Sequence, residues 1–225
     1  MKNVDEKLNA AIESLNYIPK TGLVGIGTGS TVAKLIGKMS ERNEEYVNNL
    51  FIPTSEITKK LLLECGFNVT EEISEKIIVD IDGADEIDRE GNLVKGGGGA
   101  LTREKIVAKN SKKVVIIADS SKFVENLGKF KIPIEVLPFL YQRTMSLIKD
   151  LGANVNIRYN GNFKSDNGNL IFDADFGLIS NPRSLEMQIK EIPGVVEVGI
   201  FSNMADLAII GTKNETKKIL FSRKR

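Results

Sequence analysis

Short apolar runs alternate with segments of helical periodicity through the first half of the chain. The strand-like runs cover residues 23–26, 50–52, 77–81 and 114–118. Between them, apolar residues recur at helical spacing from Val32 to Met39, and residues 55–65 and 100–109 also have a helical pattern. This alternation predicts an α/β fold with a Rossmann-like, mostly parallel sheet and helices on both faces. Ligands of such folds bind beyond the carboxyl ends of the strands.

The pattern changes near residue 129. The predicted elements are an edge strand over 132–136, a helix over 140–151, strands over 154–159 and 170–176, a helix over 182–192 that follows an Asn181 N-cap, and a strand over 195–201. The order strand-helix-strand-strand-helix-strand predicts a smaller ferredoxin-like α+β domain. We place this domain at 129–201, and the Rossmann-like catalytic domain at 1–128 and 202–225.

Composition limits the class of protein and its partners. The 225 residues contain 31 Lys and Arg against 30 Asp and Glu, and this net charge of +1 gives no reason to expect a nucleic-acid or membrane partner. A polar N-terminus and a single cysteine, Cys65, favour a cytoplasmic location. The chain has no histidine, which excludes His-based acid–base catalysis, Ser-His-Asp triads and His-ligated zinc.

A glycine-rich turn joins the first strand to the following helix, with the sequence Gly25-Ile26-Gly27-Thr28-Gly29-Ser30-Thr31. Backbone N–H groups at such a helix N-terminus bind phosphate groups. The third glycine of a dinucleotide motif is replaced by Ser30, and the lysine of a nucleoside triphosphate loop is missing. The turn therefore predicts a phosphate-sized anion site without a nucleotide, and a tight turn without a ligand is the alternative.

Two carboxylates follow the third strand, because Asp82 and Asp85 lie three residues apart in one turn. Two carboxylates in one turn are expected to point into roughly the same volume, where one raises the pKa of the other. The pair is suited to holding sugar hydroxyls, moving a proton or binding Mg²⁺. A solvated acidic turn is the alternative that the sequence leaves open.

A third carboxylate, Glu104, lies on the helix that begins after four consecutive glycines. Its helical neighbours are apolar: Ala100, Leu101, Val107 and Ala108. Glu104 is therefore expected to face inward, where desolvation raises the pKa of a carboxyl toward the range of a general base. A buried salt bridge is the alternative. Lys95 before the glycines, and Lys122 after the fourth strand, each supply positive charge to a phosphate or a developing oxyanion.

Three of these segments together resemble ribose-5-phosphate isomerases of the A type. They are residues 25–31, residues 82–87 (Asp-Gly-Ala-Asp-Glu-Ile) and residues 95–105 (Lys-Gly-Gly-Gly-Gly-Ala-Leu-Thr-Arg-Glu-Lys). The similarity continues through residues 118–122, 166–169 and 192–201, and so covers nearly the whole chain.

The resemblance implies reversible interconversion of D-ribose 5-phosphate and D-ribulose 5-phosphate through an enediolate, in the non-oxidative pentose phosphate pathway, with no cofactor or metal. Glu104 matches the family's general base. Asp82, Asp85 and Lys95 match the residues that open the furanose ring, hold its hydroxyls and stabilise the negative oxygen. The substrate-binding positions are Thr28, Gly29, Ser30, Thr31, Asp82, Gly83, Ala84, Asp85, Lys95, Gly96, Gly97, Gly98 and Lys122. The family's usual assembly is a homodimer or a dimer of dimers.

Two other functions compete with this interpretation. A different phosphosugar enzyme, such as an amino-sugar-phosphate deaminase or a lactonase, commonly uses histidine, which this chain lacks. A non-catalytic phosphosugar sensor normally carries a helix-turn-helix segment, and the pattern of the chain predicts none.

Overall fold

A computed structural model of the chain describes residues 5–222. The helices in this range are α1 (Glu6–Ser14), α2 (Ser30–Ser40), α3 (Glu56–Glu64), α4 (Leu101–Lys109), α5 (Tyr141–Asp150) and α6 (Pro182–Lys190). The strands are β1 (Gly22–Ile26), β2 (Asn49–Pro53), β3 (Ile77–Asp82), β4 (Glu86–Ile87), β5 (Leu93–Val94), β6 (Ser111–Asp119), β7 (Ile132–Val136), β8 (Asn154–Ile157), β9 (Leu170–Asp175), β10 (Val195–Val198), β11 (Ile200–Phe201), β12 (Leu207–Gly211) and β13 (Thr216–Leu220). Within the described range, every helix is too short or too polar to cross a membrane.

Backbone packing divides the described chain into two compact units. The first comprises residues 5–84, Arg103–Phe123 and residues 204–222, and the second comprises Asp85–Thr102 and Val124–Asn203. The sequence-based boundaries assign residues 85–102 to the Rossmann-like domain, whereas packing groups them with the second unit. The proposal that residues 129–201 form a domain of their own stays a prediction.

The first unit contains a six-stranded sheet in the order β13-β12-β6-β3-β1-β2. All neighbouring strands run parallel except β12 and β13, which are antiparallel. The prediction of a mostly parallel sheet is therefore confirmed. Because β6, β3, β1 and β2 are parallel neighbours, their carboxyl ends lie along one edge of the sheet, and the residues that follow them are brought together there.

Helices cover both faces of this sheet. Val24 on β1 belongs to a buried cluster with Ala10 of α1 and Leu35 of α2. Leu23, the preceding residue, belongs to a different cluster with Val107 of α4. Successive strand residues point to opposite faces, so α1 and α2 pack on one face and α4 on the other. This arrangement is the doubly covered sheet that the sequence pattern predicts.

The second unit contains a four-stranded antiparallel sheet in the order β10-β7-β9-β8. Its elements follow the chain order β7-α5-β8-β9-α6-β10, which confirms the predicted ferredoxin-like arrangement. Ile148 of α5 and Ile189 of α6 share one buried cluster with Ile134 and Phe172 of the sheet. A separate three-stranded sheet, β11-β5-β4, completes the unit.

Two details of the second unit differ from the sequence-based prediction. β7 was expected at an edge, but it lies between β10 and β9. Its proline is tolerated because the pairing with β10 covers only Ile134–Val136, so Pro133 lies outside that ladder. The single strand expected over 195–201 is divided at Gly199, whose N–H donates to the Pro133 carbonyl at 2.7 Å, and β11 joins the other sheet.

Candidate active site

The carboxylate of Asp82 is held by backbone amides at the carboxyl end of β3. Its Oδ1 accepts the N–H of Thr28 at 3.1 Å and the N–H of Gly83 at 2.6 Å. Asp82 is 1% exposed, so this contact is shielded from solvent. A charged acceptor forms hydrogen bonds with backbone N–H groups that are stronger than those of neutral acceptors. The β1–α2 turn and the β3 turn are therefore tied together through one carboxylate. Gly83 and Ala84, which follow, are half-buried.

A cluster of four hydroxyl groups fixes the side chain of Thr28. Its Oγ1 lies 2.9 Å from Thr54 Oγ1, 2.7 Å from Ser55 Oγ and 3.2 Å from Thr58 Oγ1. Thr58 also donates to the Gly27 carbonyl at 2.8 Å. Sequence reasoning did not assign these three partners to the site. The sequence feature that could have indicated them is the polar pair Thr54-Ser55 directly after β2. This pair reaches Thr28 only because β2 lies beside β1 in the sheet.

The N-terminus of α2 carries the remaining residues of the first glycine turn. Gly29 is the N-cap residue with φ +130°, and the helix begins at Ser30. Ser30 is exposed and Thr31 is buried. Lys7 of α1 donates its Nζ to Ser30 Oγ at 2.9 Å. A helix N-terminus and an ammonium group are thus adjacent, which suits an anion such as a phosphate.

Glu104 is buried on α4, with an exposed fraction of 4%. Val107, one turn further along α4, packs against β1 at Gly25, where an added Cβ would lie 2.5 Å from Val107 Cγ1. Because α4 leads directly into the start of β6, it runs against the strands, and Glu104 lies closer than Val107 to their carboxyl ends. The neighbouring Arg103 donates to Glu56 Oε1 at 2.8 Å, and this hydrogen bond lowers the pKa of the Glu56 carboxyl.

Lys122 ends a short 3₁₀ turn that follows β6 at the same edge of the sheet. The turn is anchored by α1, because Ser120 donates both its N–H and its hydroxyl to Glu6 Oε2, at 3.1 and 2.7 Å. The first unit therefore places Asp82, the α2 N-terminus, Glu104 and Lys122 at or near the carboxyl edge of its sheet.

The second unit carries Asp85 and the glycine run. Asp85 is half-buried, and its Oδ2 accepts the N–H of Gly97 at 2.8 Å. Gly97 and Gly98 form the exposed centre of a β-turn, which is closed by a 2.9 Å hydrogen bond from Gly99 N–H to the Gly96 carbonyl. The structure thus joins two segments that are twelve residues apart in the sequence.

Lys95 precedes this turn and is 3% exposed. Its backbone N–H donates to the Gly199 carbonyl at 2.9 Å. Its Nζ lies 5.6 Å from the centroid of the Phe201 ring, within the range of a cation–π interaction. The ammonium group is therefore held in a largely dry setting.

The residues that the structure describes contain no group of three or more His, Cys, Asp and Glu side chains arranged to hold a metal ion. Carboxylate oxygens remain the only candidate ligands that the sequence singled out, at Asp82 and Asp85.

Comparisons with known proteins agree with this architecture. A family model described as ribose 5-phosphate isomerase A (phosphoriboisomerase A) matches residues 50–215. Ribose-5-phosphate isomerase A of Thermoplasma volcanium is 42% identical over 225 residues, which cover 97% of this chain and 93% of the relative. The enzyme of the same name from Picrophilus torridus is 46% identical over 209 residues, which cover 92% and 94%.

Solved structures give the same result. Ribose 5-phosphate isomerase A from Methanocaldococcus jannaschii superposes with a TM-score of 0.90 at 37% identity, covering 97% of this chain and 100% of that chain. A D-ribose-5-phosphate isomerase in complex with phospho-erythronic acid superposes with a TM-score of 0.90 at 35% identity, covering 96% and 97%.

Fold and relatives together define an α/β enzyme of the isomerase class. The family within that class follows from two findings. The family model matches most of the chain, and relatives of the same name span nearly all of it. The chain belongs to the ribose 5-phosphate isomerase A family.

Proposed function

We propose that this protein interconverts D-ribose 5-phosphate and D-ribulose 5-phosphate through an enediolate, without a metal or cofactor. The observation that carries the proposal is the buried carboxylate of Glu104 on α4 in a chain that has no histidine. Aldose–ketose isomerisation needs a base that removes a proton from carbon, and a carboxylate within a protein interior is suited to that task. The identity of the substrate is inferred from membership of the family.

Glu104 is the proposed base. It removes the proton from C2 of open-chain ribose 5-phosphate, the C1 carbonyl becomes the enediolate oxygen, and the same carboxyl returns the proton to C1. As the C2 carbonyl forms, the proton of the O2 hydroxyl passes to O1, which becomes the C1 hydroxyl of ribulose 5-phosphate. The reverse reaction starts at C1 of ribulose 5-phosphate. The reaction needs no redox cofactor, because C2 is oxidised and C1 is reduced within the same molecule.

Asp82, Asp85 and Lys95 are the proposed partners of this proton transfer. Ring opening requires a proton to leave the C1 hydroxyl and another to reach the ring oxygen, and the two carboxyl groups suit those roles. The Lys95 ammonium suits the negative oxygen of the enediolate. The amides that hold Asp82 and the glycine turn that holds Asp85 support defined positions for both carboxylates.

The proposed phosphate anchor is the N-terminus of α2. Ser30 and Thr31 offer backbone N–H groups and hydroxyls there, and Lys7 and Lys122 offer positive charge. Thr28 and Gly29 shape the turn. The remaining proposed substrate contacts are those of Gly83, Ala84, Gly96, Gly97 and Gly98.

The test is turnover of ribose 5-phosphate by the purified protein with EDTA present, beside the variants E104Q and E56Q. We expect E104Q to lower kcat about 10²–10⁴-fold with a KM within a few-fold of wild type, because the amide cannot accept the proton. E56Q is the matched control: it makes the same change at a carboxylate bound to the neighbouring Arg103, and we expect wild-type turnover.

Near-wild-type turnover by E104Q would remove Glu104 from the mechanism. Absence of turnover in the wild-type protein would overturn the proposed substrate, and loss of wild-type turnover on exhaustive chelation would overturn the metal-free mechanism.

We further propose a cytoplasmic location and a homodimer or a dimer of dimers. The single cysteine, which cannot form a disulfide within the chain, supports the location, and the resemblance supports the assembly. Sedimentation velocity at several protein concentrations tests the assembly, and a monomer at every concentration would contradict it.

A further inference from the structure

Arg158 contacts the glycine turn from the opposite side to Asp85. It follows β8 and donates Nη1 to the carbonyls of Gly96 at 2.9 Å and Gly97 at 3.0 Å. The other edge of its guanidinium group forms a two-point ion pair with Asp173 of β9. Nε donates to Asp173 Oδ2 at 3.1 Å, and Nη2 donates to Asp173 Oδ1. All of these residues belong to the second unit.

The guanidinium group is too buried to be an incidental surface charge. Arg158 is 9% exposed, and the Phe163 ring lies 5.7 Å from its Cζ. A buried charge is tolerated only when it is paired and hydrogen-bonded. Asp173 supplies the pairing, and the rigid guanidinium fork has donors left over for two backbone carbonyls. The ion pair thus holds the fork so that it faces the turn.

Binding both carbonyls determines which way the N–H groups of the turn point. In a trans peptide the C=O and N–H groups point in opposite directions. With the Gly96 and Gly97 carbonyls directed at Arg158, the N–H groups of Gly97 and Gly98 are directed away from it. The Gly97 N–H indeed meets Asp85 Oδ2 at 2.8 Å. The Gly96–Gly97 peptide unit is therefore hydrogen-bonded on both sides, its carbonyl to the Arg158 guanidinium and its N–H to the Asp85 carboxylate.

The turn needs such an anchor because its own side chains provide none. Gly97 and Gly98 are exposed, and glycine samples more backbone conformations than any other residue. The closing hydrogen bond from Gly99 to Gly96 holds the Gly96 carbonyl but leaves the central peptide, Gly97–Gly98, to external contacts. Arg158 supplies a contact to that peptide through the Gly97 carbonyl.

We propose that Arg158 is a positioning residue of the isomerase, which orients the peptides of the Gly96–Gly99 turn and, through Gly97, the carboxylate of Asp85. The proposal rests on the proposed function, in which Asp85 and this turn contact the sugar. Asp173 is its partner, since it sets the direction of the guanidinium fork.

Three variants test the proposal by kinetics with ribose 5-phosphate. R158M removes every donor but keeps a long side chain, and R158K keeps the charge but loses the fork. T144V is the matched control, because Thr144 is also buried in the second unit and donates its hydroxyl to a backbone carbonyl, that of Pro193, at 3.1 Å. Thermal unfolding of all three separates loss of stability from loss of rate.

We expect R158M to lower kcat/KM about 10- to 100-fold relative to T144V, since displacement of positioned groups by about 1 Å costs up to about 10²-fold. R158K is expected to fall between the two, because an ammonium cannot serve Asp173 and both carbonyls in one plane. The inhibition constant of inorganic phosphate should not change, as the proposed phosphate anchor lies on α2.

Added guanidinium ion provides the readout that a purely structural residue would not give. An open groove of about 500 Å³ is lined by Gly97, Arg158 and Asp173, among others, so the small ion has access to the vacated position. We expect millimolar guanidinium to raise kcat of a further variant, R158A, several-fold, because truncation at Cβ opens the position that R158M leaves partly filled. The same ion should leave T144V unchanged.

Activity of R158M within twofold of T144V would overturn the proposal, as would a full loss shared by R158K and R158A that guanidinium does not relieve in R158A. The same assays report separately on the proposed function. If the wild-type protein isomerises ribose 5-phosphate and these variants match T144V, only the role of Arg158 fails. If the wild-type protein is inactive, the substrate assignment fails first.

Discussion

Gly27 and Gly97 lie against the two carboxylates proposed to act on the sugar ring. A Cβ added at Gly27 would lie 1.7 Å from Asp82 Oδ1, and one added at Gly97 would lie 2.6 Å from Asp85 Oδ1. Both distances are far shorter than a van der Waals contact. Glycine is required at both positions because the carboxylate approaches the backbone closely enough to accept an amide hydrogen.

The substitution G97A tests this requirement. We expect kcat/KM to fall about 10- to 100-fold, because the new methyl group displaces the Asp85 carboxylate from its position. The control is G37A in α2, where an added Cβ has no atom within 4 Å and glycine is unfavourable in a helix. That variant should retain full activity and gain about 0.5–1 kcal/mol in the free energy of unfolding. Steady-state kinetics measure the activity of both variants, and urea unfolding measures their stability. Full activity of G97A would contradict the requirement for glycine at this position.

The sequence predicted the acidic residues and glycine turns of the candidate site, because each follows a strand or begins a helix in a recognisable pattern. It did not predict the hydroxyl cluster around Thr28 or the contact of Arg158 with the glycine turn. The hydroxyl cluster depends on which strands are neighbours in the sheet. The Arg158 contact depends on how far a side chain from a distant part of the sequence reaches in the folded chain. Neither piece of information is present in local periodicity.

Most helices and strands were predicted because hydrophobic periodicity and caps mark them locally. The helix α6 is an example: the Asn181 side chain accepts the N–H of Ser184 at 3.0 Å, and Pro182 begins the helix. The errors arise where a strand's role depends on its partners. β7 contains a proline and still lies inside its sheet, and Gly199 divides an apolar run between two sheets.

The cap of α6 gives a prediction about stability. N181A removes the acceptor of the Ser184 N–H, so we expect the free energy of unfolding to fall by about 1 kcal/mol. N181D keeps a side-chain oxygen at the same position and should unfold like the wild type. Urea denaturation followed by circular dichroism measures the difference, and equal midpoints for N181A and wild type would show that the cap is dispensable.

The grouping of residues 85–102 with the second unit could not be predicted from local pattern. The sequence-based boundaries place the segment between β3 and α4, without strands of its own, in the domain of the parallel sheet. Its two short strands, β4 and β5, instead join β11, which lies about a hundred residues later in the chain. The pairing of segments so distant in sequence is a property of the folded molecule.

The ion pair between Glu13 of α1 and Lys218 of β13 makes the stability of the whole chain depend on pH at both extremes. The two side chains are 2.6 Å apart. Hydrogen bonding to Lys218 lowers the pKa of the Glu13 carboxyl, and the same bond raises the pKa of the Lys218 ammonium. Stability from the first shift is present above the unfolded carboxyl pKa and is lost as pH falls through the folded one. Stability from the second is present below the unfolded lysine pKa and is lost as pH rises through the folded one.

We therefore expect the variant K218M to lose part of the stability difference between neutral pH and pH 3, and part of that between neutral pH and pH 11. Urea midpoints measured across this range should change less with pH than those of the wild type. The variant E13Q should give the same two reductions. Parallel pH profiles for wild type and both variants would show that the pair contributes nothing.

The order of strands in the main sheet also affects how the chain is made. β6 lies beside β12, and the two are separated by all of residues 124–203. At a synthesis rate of about 5–20 residues per second, β12 leaves the ribosome about 5–20 s after β6. During that interval the apolar edge of β6 has no final partner and is open to pairing with other nascent chains. The strand β6 is therefore where a chaperone on the emerging chain has most to protect.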